Sequence, residues 1–522
     1  MSRTQLYADP ANRFVHDLIL ESCRRNPGRT AIVDSSNGRR ISYTEYGEIV
    51  ESLGRGLVAA GLQPGEIVAI FLQNSWEFCA VYHAITLAGA VPTLLNPAYH
   101  EREVSYQLQD SGAVLLISDG PQLEGINFSA LPRLRGIYTT RQHLPETSPF
   151  ADLLRPSQAT LPTPAGLSNE ILAALPYSSG TTGLPKGVML SHLNLVANVF
   201  QLLGPDAYPL THDDVLVCFL PLYHIYGLNV ALNPILAQGG TIVLMPRFNA
   251  ERFLELMVAE KATYTLVAPP ALLALVHAAE AGSWPKNHHL KKLKSGAAPL
   301  SPELAHRFMA LTGVPITQGY GMTEASPVTH IGYFDAARCK PESIGHPVAQ
   351  TECKVINVDG KPAADGEPGE LLMRGPQIML GYWKSPDATA AAIRDGWYYS
   401  GDIVTRDAAG YYYVLDRSKE MIKYKGFSIA PAEIESVLLE HPAVRDCGVV
   451  GKQDPATGEA PVAFVVTQDA FTSKEGLKEE LCAFVASRLA YYKQPREIRF
   501  IAAVPKTASG KILRRELRKA LE

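Results

Sequence analysis

The segment richest in groups that could do chemistry is YSSGTTGLPKG, residues 177–187. It contains two pairs of hydroxyl residues and three glycines, and Lys186 stands next to last. A loop of this composition exposes many backbone N–H groups, which together with hydroxyls and a lysine bind phosphate oxygens. It lacks the GxxxxGK[ST] spacing of a Walker A loop, because Gly187 follows the lysine. The segment therefore predicts a phosphate site of another kind.

Two further motifs each follow a strand-like run: QGYGMTEA, residues 318–325, and SGD, residues 400–402. The tyrosine ring of the first motif can stack on a purine, Thr323 can bond a phosphate, and Glu324 can hold a hydrated magnesium ion. The carboxylate of Asp402 can accept hydrogen bonds from both hydroxyls of a ribose. Taken with the phosphate loop, these motifs predict a site for a nucleotide, its phosphates and a metal.

In this order and spacing, the motifs resemble those of the adenylate-forming superfamily of acyl-CoA synthetases, luciferases and adenylation domains. The resemblance extends from ISYTEYGEIVESLGRGL (41–57) to PKTASGKILRREL (505–517). Within the superfamily the chain is most similar to 4-coumarate–CoA ligases. The segments that carry this likeness are PLYHIYGLN (221–229), KSGAAPL (294–300), Pro327-Val328 and DRSKEMIKYKGF (416–427).

The resemblance implies an ATP-dependent ligase with two steps. A carboxylate attacks the α-phosphorus of MgATP to give acyl-AMP and pyrophosphate, and a thiol, expected to be coenzyme A, then displaces AMP. A cation must bridge the carboxylate and the α-phosphate in the first transition state, and the resemblance assigns this role to Lys511. It places His224 between the acyl carboxylate and the thiol path, and Lys423 in the thiol channel. The implied catalytic residues are Lys511, His224, Lys423, Thr323 and Glu324, with Glu324 also the metal ligand.

The resemblance also implies where the nucleotide binds and how the protein moves. Asp402 and Arg417 would hold the ribose, Tyr320 would stack on adenine, and Lys419 would be the hinge of a swinging domain. Ser428 stands where aryl-CoA ligases often have Gln, which leaves its role open. The implied cofactor-binding residues are Ser178, Ser179, Gly180, Thr181, Thr182, Gly183, Lys186, Ala298, Gln318, Gly319, Tyr320, Gly321, Thr323, Asp402, Arg417, Lys425 and Gly426.

An acyl pocket is implied in the same way. Small residues at 296, 297 and 321 are expected to leave a slot for a flat or extended acyl group, Tyr226 to stack on an aryl ring, and Asn229 and Lys294 to bond a ring hydroxyl. The implied lining is Tyr226, Asn229, Val230, Leu266, Lys294, Gly296, Ala297, Gly321, Pro327 and Val328.

This lining favours a hydroxycinnamate-like aryl acid. A medium-chain fatty acid is the alternative, because a pocket distinguishes one methylene by only about 1–3 kcal/mol. A stand-alone enzyme that loads a carrier protein and a luciferase-like oxygenase would share the same motifs. A protein that only binds adenylates is disfavoured, since Lys186, Glu324 and Lys511 are all present.

Secondary-structure elements must position these residues. Over the first 400 or so residues, short β-branched runs alternate with segments of helical pattern. Examples are IVAIFLQ (67–73) before WEFCAVYHAITLAGA (76–90), and TIVLMP (241–246) before a helix expected over 250–261. Such alternation indicates βαβ units and mostly parallel sheets. Turn sequences near 360 and 408 indicate a small antiparallel β subdomain.

After residue 427 the pattern of helices and strands begins again. The prediction is an α/β protein with a large body, residues 1–416, that holds the ATP and acyl sites. A mobile C-terminal α+β domain, residues 417–522, follows a hinge near 416–419. Two domains joined in this way commonly enclose a site and reopen it.

Composition limits the partners and the compartment. The 522 residues include 48 Lys and Arg against 52 Asp and Glu. The chain therefore lacks the excess of basic residues that is typical of nucleic-acid-binding proteins. Seven scattered cysteines without a C-x-x-C pair are typical of a reducing compartment. No signal-peptide pattern is visible, and prolines and glycines interrupt the charge-free stretch 215–246, so we expect a cytoplasmic protein without a membrane span. The oligomeric state is left open.

Overall fold

The structure is a computed structural model of the 522-residue chain. It describes residues 10, 12–131, 133–162, 168–178, 185–204, 207, 210–417, 420–424, 427–454, 458–468, 476–489, 491–507 and 510–521. At positions 130, 416, 417, 423, 427 and 428 the description covers the backbone only.

A large, mostly parallel sheet forms the centre of the body. Over the described residues it has nine strands. In spatial order they are His346–Pro347, Val328–Ile331, Ile316–Gly321, Lys292–Ser295, Tyr264–Val267, Val215–Cys218, Thr241–Leu244, Thr30–Asp34 and Arg39–Ser42. All pairs from Ile316–Gly321 to Thr30–Asp34 are parallel. The carboxyl ends of these strands therefore share one edge, where ligands bind in open α/β sheets.

A second parallel sheet belongs to the N-terminal part of the body. Its strands, in spatial order among the described residues, are Val91–Leu94, Ile67–Phe71, Leu115–Ser118, Gly136–Thr139 and Ser148–Pro149. The helix Trp76–Leu87 is buried along almost its whole length, in keeping with its apolar sequence. Ser75 precedes and caps the helix, because its side chain accepts a hydrogen bond from the backbone N–H of Phe78.

Helices cover both sheets, as the alternating sequence pattern predicts. Those of the body are Val15–Arg25, Tyr43–Ala59, Trp76–Leu87, Glu101–Ser111, His192–Leu203, Asn233–Gln238, Ala250–Ala259, Pro269–Glu280, Pro302–Thr312 and Pro386–Ala392. A π-helix covers Gly227–Leu232, and short 3-10 turns cover Gly120–Leu123, Phe128–Ala130, Phe150–Leu154 and Thr323–Ala325. In the described parts of the chain, no helix combines the length and apolarity that crossing a bilayer requires.

Two antiparallel sheets complete the body. One joins Leu172–Ala174, Tyr177–Ser178, Lys186–Ser191 and Gly381–Tyr382. The other joins Glu352–Ile356, Gly369–Arg374, Ile393–Arg394, Trp397–Arg406 and Tyr412–Arg417, where the turn sequences predict a β subdomain. The first sheet brings the two ends of the predicted phosphate loop together, because Lys186 pairs with Ser178.

The C-terminal residues form an α+β unit with hydrophobic clusters of its own. Its strands are Ile422–Tyr424, Phe427–Ile429, Val444–Asp454, Gly458–Thr467 and Glu497–Phe500, its helices Pro431–Leu439, Leu477–Ala486 and Arg514–Lys519, with a 3-10 turn at Tyr491–Lys493. These clusters draw only on residues from Ile422 onward. The predicted α/β fold class, with a large body and a small C-terminal unit, is confirmed. The boundary between residues 416 and 417 and the mobility of the unit stay predictions.

Candidate active site

A cleft of about 2080 Å³ is lined by the strand ends of the central sheet and by the C-terminal unit. The body contributes Ala297, Ala298, residues 318–321 and Asp402, and the C-terminal unit contributes Lys511 among others. Pockets for one small ligand usually measure about 300–1,000 Å³. The cleft therefore has room for more than one substrate.

Tyr320 and Asp402 form one hydrogen-bonded unit in this cleft. The strand Ile316–Gly321 carries Tyr320, whose hydroxyl donates to Oδ2 of Asp402 at 2.5 Å. The Tyr320 ring also meets the ring of buried His330 edge to face, with 5.7 Å between centroids. Asp402 is buried, and its backbone N–H donates to the Ser400 hydroxyl. The residues predicted to bind adenine and ribose are thus adjacent and fixed to each other.

Arg417, the second predicted ribose residue, lies opposite Asp402 in the register of two antiparallel strands. This places the two backbones side by side, whereas the Arg417 side chain is outside the described residues. The same holds for the side chain of Lys423. Also outside the described residues are Ser179, Gly180, Thr181, Thr182, Gly183, Lys419, Lys425 and Gly426.

Glu324 is held by two hydroxyl groups. Ser178 and Tyr382 both donate to its Oε1, at 3.1 and 2.9 Å. The Glu324 side chain is buried in the 3-10 turn Thr323–Ala325, and half-buried Thr323 begins that turn. The predicted metal ligand and Ser178 of the predicted phosphate loop, 146 positions apart in sequence, are therefore in direct contact.

These residues fit a magnesium ion. Oε2 of Glu324 accepts no hydrogen bond from the described residues, and a carboxylate oxygen is a ligand that Mg²⁺ prefers. Magnesium is usually held by one or two carboxylates, with substrate phosphates and waters as the other ligands. Glu324 would hold the ion, and the ion would screen the negative charge of the phosphates.

Lys511 reaches the body through a close contact of the preceding glycine. Gly510 has a φ of +84°, and a Cβ built on it would stand 2.8 Å from Cγ of Pro270. Pro270 lies in the first turn of the helix Pro269–Glu280. Burial and, next, the charge of Lys511 lower the pKa of His224 to about 4. Lys511 and His224, which are 287 positions apart in the chain, are thus near enough for the charge of the lysine to act on the imidazole.

His224 is neutral at physiological pH, because its pKa of about 4 lies well below that range. Its Nδ1 accepts a hydrogen bond from the backbone N–H of Tyr226 at 3.2 Å. A neutral imidazole has one protonated nitrogen, so this bond assigns the proton to Nε2. His224 can therefore donate a hydrogen bond to a carboxylate oxygen without adding a second positive charge beside Lys511.

The small residues of the predicted acyl pocket differ from the expected open slot. A Cβ on Gly296 would lie 3.0 Å from the hydroxyl oxygen of Tyr226, and one on Gly321 would lie 1.9 Å from the carbonyl oxygen of Pro327. The missing side chains at these two positions therefore allow close packing of Tyr226 and Pro327 rather than leaving free space. Ala297, which lines the cleft, has a left-handed backbone with a φ of 72°.

Asn229 is fully buried and bonded within the protein. Its amide nitrogen donates to the carbonyls of Leu195 and Ser326, at 3.2 and 2.6 Å, and its Oδ1 accepts from Asn233. Both amide protons are thus used. This geometry supports the wall of the predicted pocket at Ser326 rather than a hydrogen bond to a substrate hydroxyl.

The Asn229 contact ends a longer buried chain of hydrogen bonds. Oδ1 of Asn233 bonds Nε2 of His83 at 3.0 Å, and Nδ1 of His83 bonds the hydroxyl of Tyr46 at 2.7 Å. The side-chain amide of Asn198 binds the adjacent backbone, because it donates to the carbonyl of Val328 and accepts from the N–H of Val328. Residues 326–328 are therefore held from two helical elements.

Lys294 is more deeply buried than its predicted hydrogen bond to a substrate hydroxyl would require. It is fully buried, its ammonium donates to the carbonyl of Gly332 at 2.9 Å, and Nζ is 4.9 Å from the ring centroid of Phe334. Burial and, next, the charge of Lys292 lower its pKa well below the ordinary value. Leu266 and Val230 are buried apolar residues of the same predicted lining.

Tyr382 and Pro270 contact the predicted site residues but were missed by the motifs. Tyr382 stands in the run Gly-Tyr-Trp at 381–383, which contains no charged group and so gave no chemical signal. Pro270 precedes Lys511 by more than 200 residues, and no spacing rule links two such segments.

Two family models match the chain. The model described as AMP-binding enzyme matches residues 19–383, and the model described as AMP-binding enzyme C-terminal domain matches residues 433–511. The first match alone spans more than half of the chain.

Individual relatives agree with these matches. A 4-coumarate–CoA ligase of Vanilla planifolia is 36% identical over 98% of this chain and 94% of its own length. The structure of an anthranilate CoA ligase in complex with anthranoyl-AMP has a TM-score of 0.89 and 28% identity, covering 100% of this chain and 99% of that one. The o-succinylbenzoate CoA synthetase of Bacillus subtilis, in complex with ATP and magnesium, has a TM-score of 0.81 and 28% identity, covering 96% and 98%.

Proposed function

The chain belongs to the AMP-binding enzyme family and is an AMP-forming carboxylate–CoA ligase, and we propose that its acid is an aryl carboxylic acid of the hydroxycinnamate type. Enzymes of this class use ATP, Mg²⁺ and coenzyme A, which matches the predicted cofactors. The assignment of individual residues to the steps below is part of the proposal.

The observation that carries the proposal is the hydrogen-bonded pair of Tyr320 and Asp402 in a cleft that Lys511 also lines. In the first step a carboxylate oxygen attacks the α-phosphorus of ATP, and pyrophosphate leaves with the electrons of the broken P–O bond. Negative charge then accumulates on the α-phosphate, and Lys511 would stabilise it. His224, through Nε2–H, would hold the second carboxylate oxygen in line for the attack.

In the second step the sulfur of coenzyme A attacks the acyl carbon, and AMP leaves as the acyl–oxygen bond breaks. The thiol proton is lost to solvent or to the departing phosphate. The C-terminal unit is proposed to swing away after the first step, so Lys511 would no longer stand beside the α-phosphate in the second. Neutral His224 would still hydrogen-bond the acyl oxygen, where charge develops in the transition state.

An aryl acid is favoured by the aromatic ring of Tyr226 in the predicted acyl lining. The ring is packed against Gly296 and anchored by long hydrogen bonds, at 3.4 Å, from its hydroxyl to the carbonyls of Val267 and Lys294. A fixed aromatic face suits a flat acyl group. The names of the relatives, 4-coumarate and anthranilate CoA ligases, point in the same direction.

A medium-chain fatty acid is the second candidate. Leu266, Val230 and Val328 give the predicted pocket buried apolar walls that suit an alkyl chain equally well. Transfer to a carrier-protein thiol instead of coenzyme A is a further possibility for the second step, since the adenylation site would be the same.

The test is acid-dependent pyrophosphate release with hydroxycinnamates, benzoates and medium-chain fatty acids, each with and without coenzyme A. We expect hydroxycinnamates to give the highest kcat/KM, with AMP and the aryl-CoA thioester as products. A higher kcat/KM for fatty acids would contradict the aryl assignment, and an acid-independent release of ADP would contradict the ligase. Replacing coenzyme A by a phosphopantetheinylated carrier protein distinguishes the two acceptors.

We also propose a cytoplasmic location. It is supported by the seven cysteines, all of which are in the free thiol form. Thiols of this number persist in a reducing compartment.

A further inference from the structure

Tyr382 lies between two groups of opposite charge in the candidate nucleotide site. Its hydroxyl donates to Oε1 of Glu324 at 2.9 Å. Its ring faces Lys186, with the ammonium nitrogen 5.5 Å from the ring centroid. One side chain thus contacts both the predicted magnesium ligand and the lysine of the predicted phosphate loop.

The backbone fixes the place of Tyr382. The strand Gly381–Tyr382 pairs with the strand Lys186–Ser191, with Tyr382 opposite Val188. The N–H groups on either side of this pair, those of Leu380 and Trp383, donate to carbonyls of the same partner strand at 2.9 and 2.8 Å. The Tyr382 ring and Lys186 therefore keep a constant relation, because both are carried by one short pair of strands.

Two hydroxyl groups orient the Glu324 carboxylate, and no basic side chain among the described residues is paired with it. Ser178 donates to the same Oε1 as Tyr382 does. In the described parts of the chain no Lys or Arg forms an ion pair with Glu324. Hydroxyl donors orient a carboxylate while leaving it its full charge for a cation.

We propose that Tyr382 is a positioning residue that holds the Glu324 carboxylate in place for the magnesium ion of MgATP and holds Lys186 in place for the phosphates. The inference rests on the proposed use of MgATP at this site. The hydroxyl acts on the metal ligand, and the ring acts on the lysine through a cation–π contact. These two actions are separable by substitution.

Tyr382→Phe removes only the hydroxyl, and Tyr382→Leu removes the ring as well. Loss of a group that orients a metal ligand commonly costs about 10–100-fold in metal affinity. We expect Tyr382→Phe to weaken binding of the metal–nucleotide complex about tenfold, at the low end of that range because the Ser178 bond remains. Tyr382→Leu should also weaken ATP binding when no divalent metal is present, whereas Tyr382→Phe should not.

The experiment measures binding without turnover. Mn²⁺, used as the probe for Mg²⁺, is titrated by electron paramagnetic resonance into full-length enzyme with ATP and no acid. Calorimetry with ATP and EDTA gives the metal-free affinity. Pyrophosphate release as a function of Mg²⁺ adds a kinetic measure, in which the Mg²⁺ concentration for half-maximal rate should rise for Tyr382→Phe and the rate of thioester formation from synthetic acyl-AMP should not fall.

Tyr43→Phe is the matched control. Tyr43 is fully buried, and its hydroxyl donates to the carbonyls of Leu236 and Gly240, so the variant also loses a buried hydroxyl. We expect it to lower the melting temperature at least as much as Tyr382→Phe, with wild-type Mn²⁺ affinity.

Wild-type Mn²⁺ affinity and Mg²⁺ dependence in Tyr382→Phe would overturn the inference, and so would an equal change in Tyr43→Phe. Failure of the proposed function has a different signature, since the wild-type enzyme would then release no pyrophosphate with any acid. The binding titrations would still report on Tyr382 in that case.

Discussion

The body and the C-terminal unit hold the charged groups of the predicted site in different ways. On the body side, Glu324 and Asp402 are each fixed by a tyrosine hydroxyl from another segment, Tyr382 and Tyr320 respectively. On the C-terminal side, Lys511 stands in a turn closed by local bonds. Its N–H donates to the hydroxyl of Thr507, and its carbonyl accepts from the Thr507 N–H at 2.8 Å.

This difference indicates a division of work. Bonds between distant segments would fix the predicted nucleotide site before any substrate binds, because both partners of each bond belong to the body. The cation comes from a unit with its own hydrophobic clusters, whose turn touches the body at Pro270. Because the predicted nucleotide site and Lys511 belong to different units, a substitution would be able to slow adenylate formation without slowing thioester formation.

The largest effect that tests this division is expected for Lys511→Ala. Loss of a group that stabilises transition-state charge costs about 10²–10³ in rate, and we expect adenylate formation to fall by this factor. Thioester formation from synthetic acyl-AMP should change little. Single-turnover assays of the two half-reactions measure both, and an equal loss in both would contradict the division.

Gly510→Ala should have the next largest effect. The new Cβ would meet Cγ of Pro270 at 2.8 Å, which displaces the turn that carries Lys511. A displacement of about 1 Å can cost about 10²-fold in rate, so we expect adenylation to fall between about tenfold and that limit.

Gly476→Ala is the control for Gly510→Ala, since Gly476 has a similar left-handed φ of +72° but open space around its Cβ. Both variants carry the backbone strain, and only one carries the contact with the body. If the two variants lose adenylation equally, the Pro270 contact has no role in placing Lys511.

A smaller effect on the body side is expected for Tyr320→Phe. The variant keeps the aromatic face and loses the hydrogen bond to Asp402, a bond to a charged group of the kind worth about 1.5–3 kcal/mol. We expect the KM for ATP to rise about tenfold, the factor that corresponds to the lower figure, with kcat little changed. Tyr411→Phe, which loses a bond to the Arg338 carbonyl, should leave the KM for ATP unchanged. A fall in kcat with constant KM would contradict a fixed nucleotide site.

The smallest effect is expected from pH near neutrality. The pKa of His224 is lowered from 6.5 to about 4, so the folded enzyme keeps this imidazole neutral while an unfolded chain would protonate it near 6.5. Its contribution to stability is therefore present above about pH 6.5 and is lost as the pH falls toward 4. We expect no titration of His224 in the pH–rate profile near neutrality, and histidine NMR should show its ring protonating only near pH 4. A ring that titrates near 6.5 would show that His224 is neither buried nor close to Lys511 in the folded enzyme.

Much of the fold could be predicted from the sequence, and its motifs name Tyr320 and Asp402, which the structure places in direct contact. The motifs around Tyr320, Glu324 and Asp402 are short and local, so their residue types and order alone indicate a nucleotide site. The strand–helix alternation predicts the parallel sheets for a similar reason, because it reflects burial within each element. The helix expected over 250–261 ends at Ala259, and Lys261 takes a left-handed φ of 53°, which a helical periodicity does not reveal.

Contacts between distant segments could not be predicted. Gly296 suggested an open slot, but the ring of Tyr226, 70 positions earlier, fills the space. Asn229 suggested a substrate contact, but its amide is used by carbonyls of two other segments. In each case the sequence correctly marks the position as special. Only tertiary packing determines which group contacts the residue or fills the space beside it.

The buried chain of hydrogen bonds from Tyr46 through His83 and Asn233 to Asn229 has a consequence for how acid preference could diverge among relatives. It connects a helix of the N-terminal part to the carbonyl of Ser326, beside the predicted acyl wall. Substitutions at these internal positions could thus alter the wall while leaving the Tyr320–Asp402 and Tyr382–Glu324 bonds intact. Libraries that seek new acids would then gain from including these internal positions along with those that line the pocket.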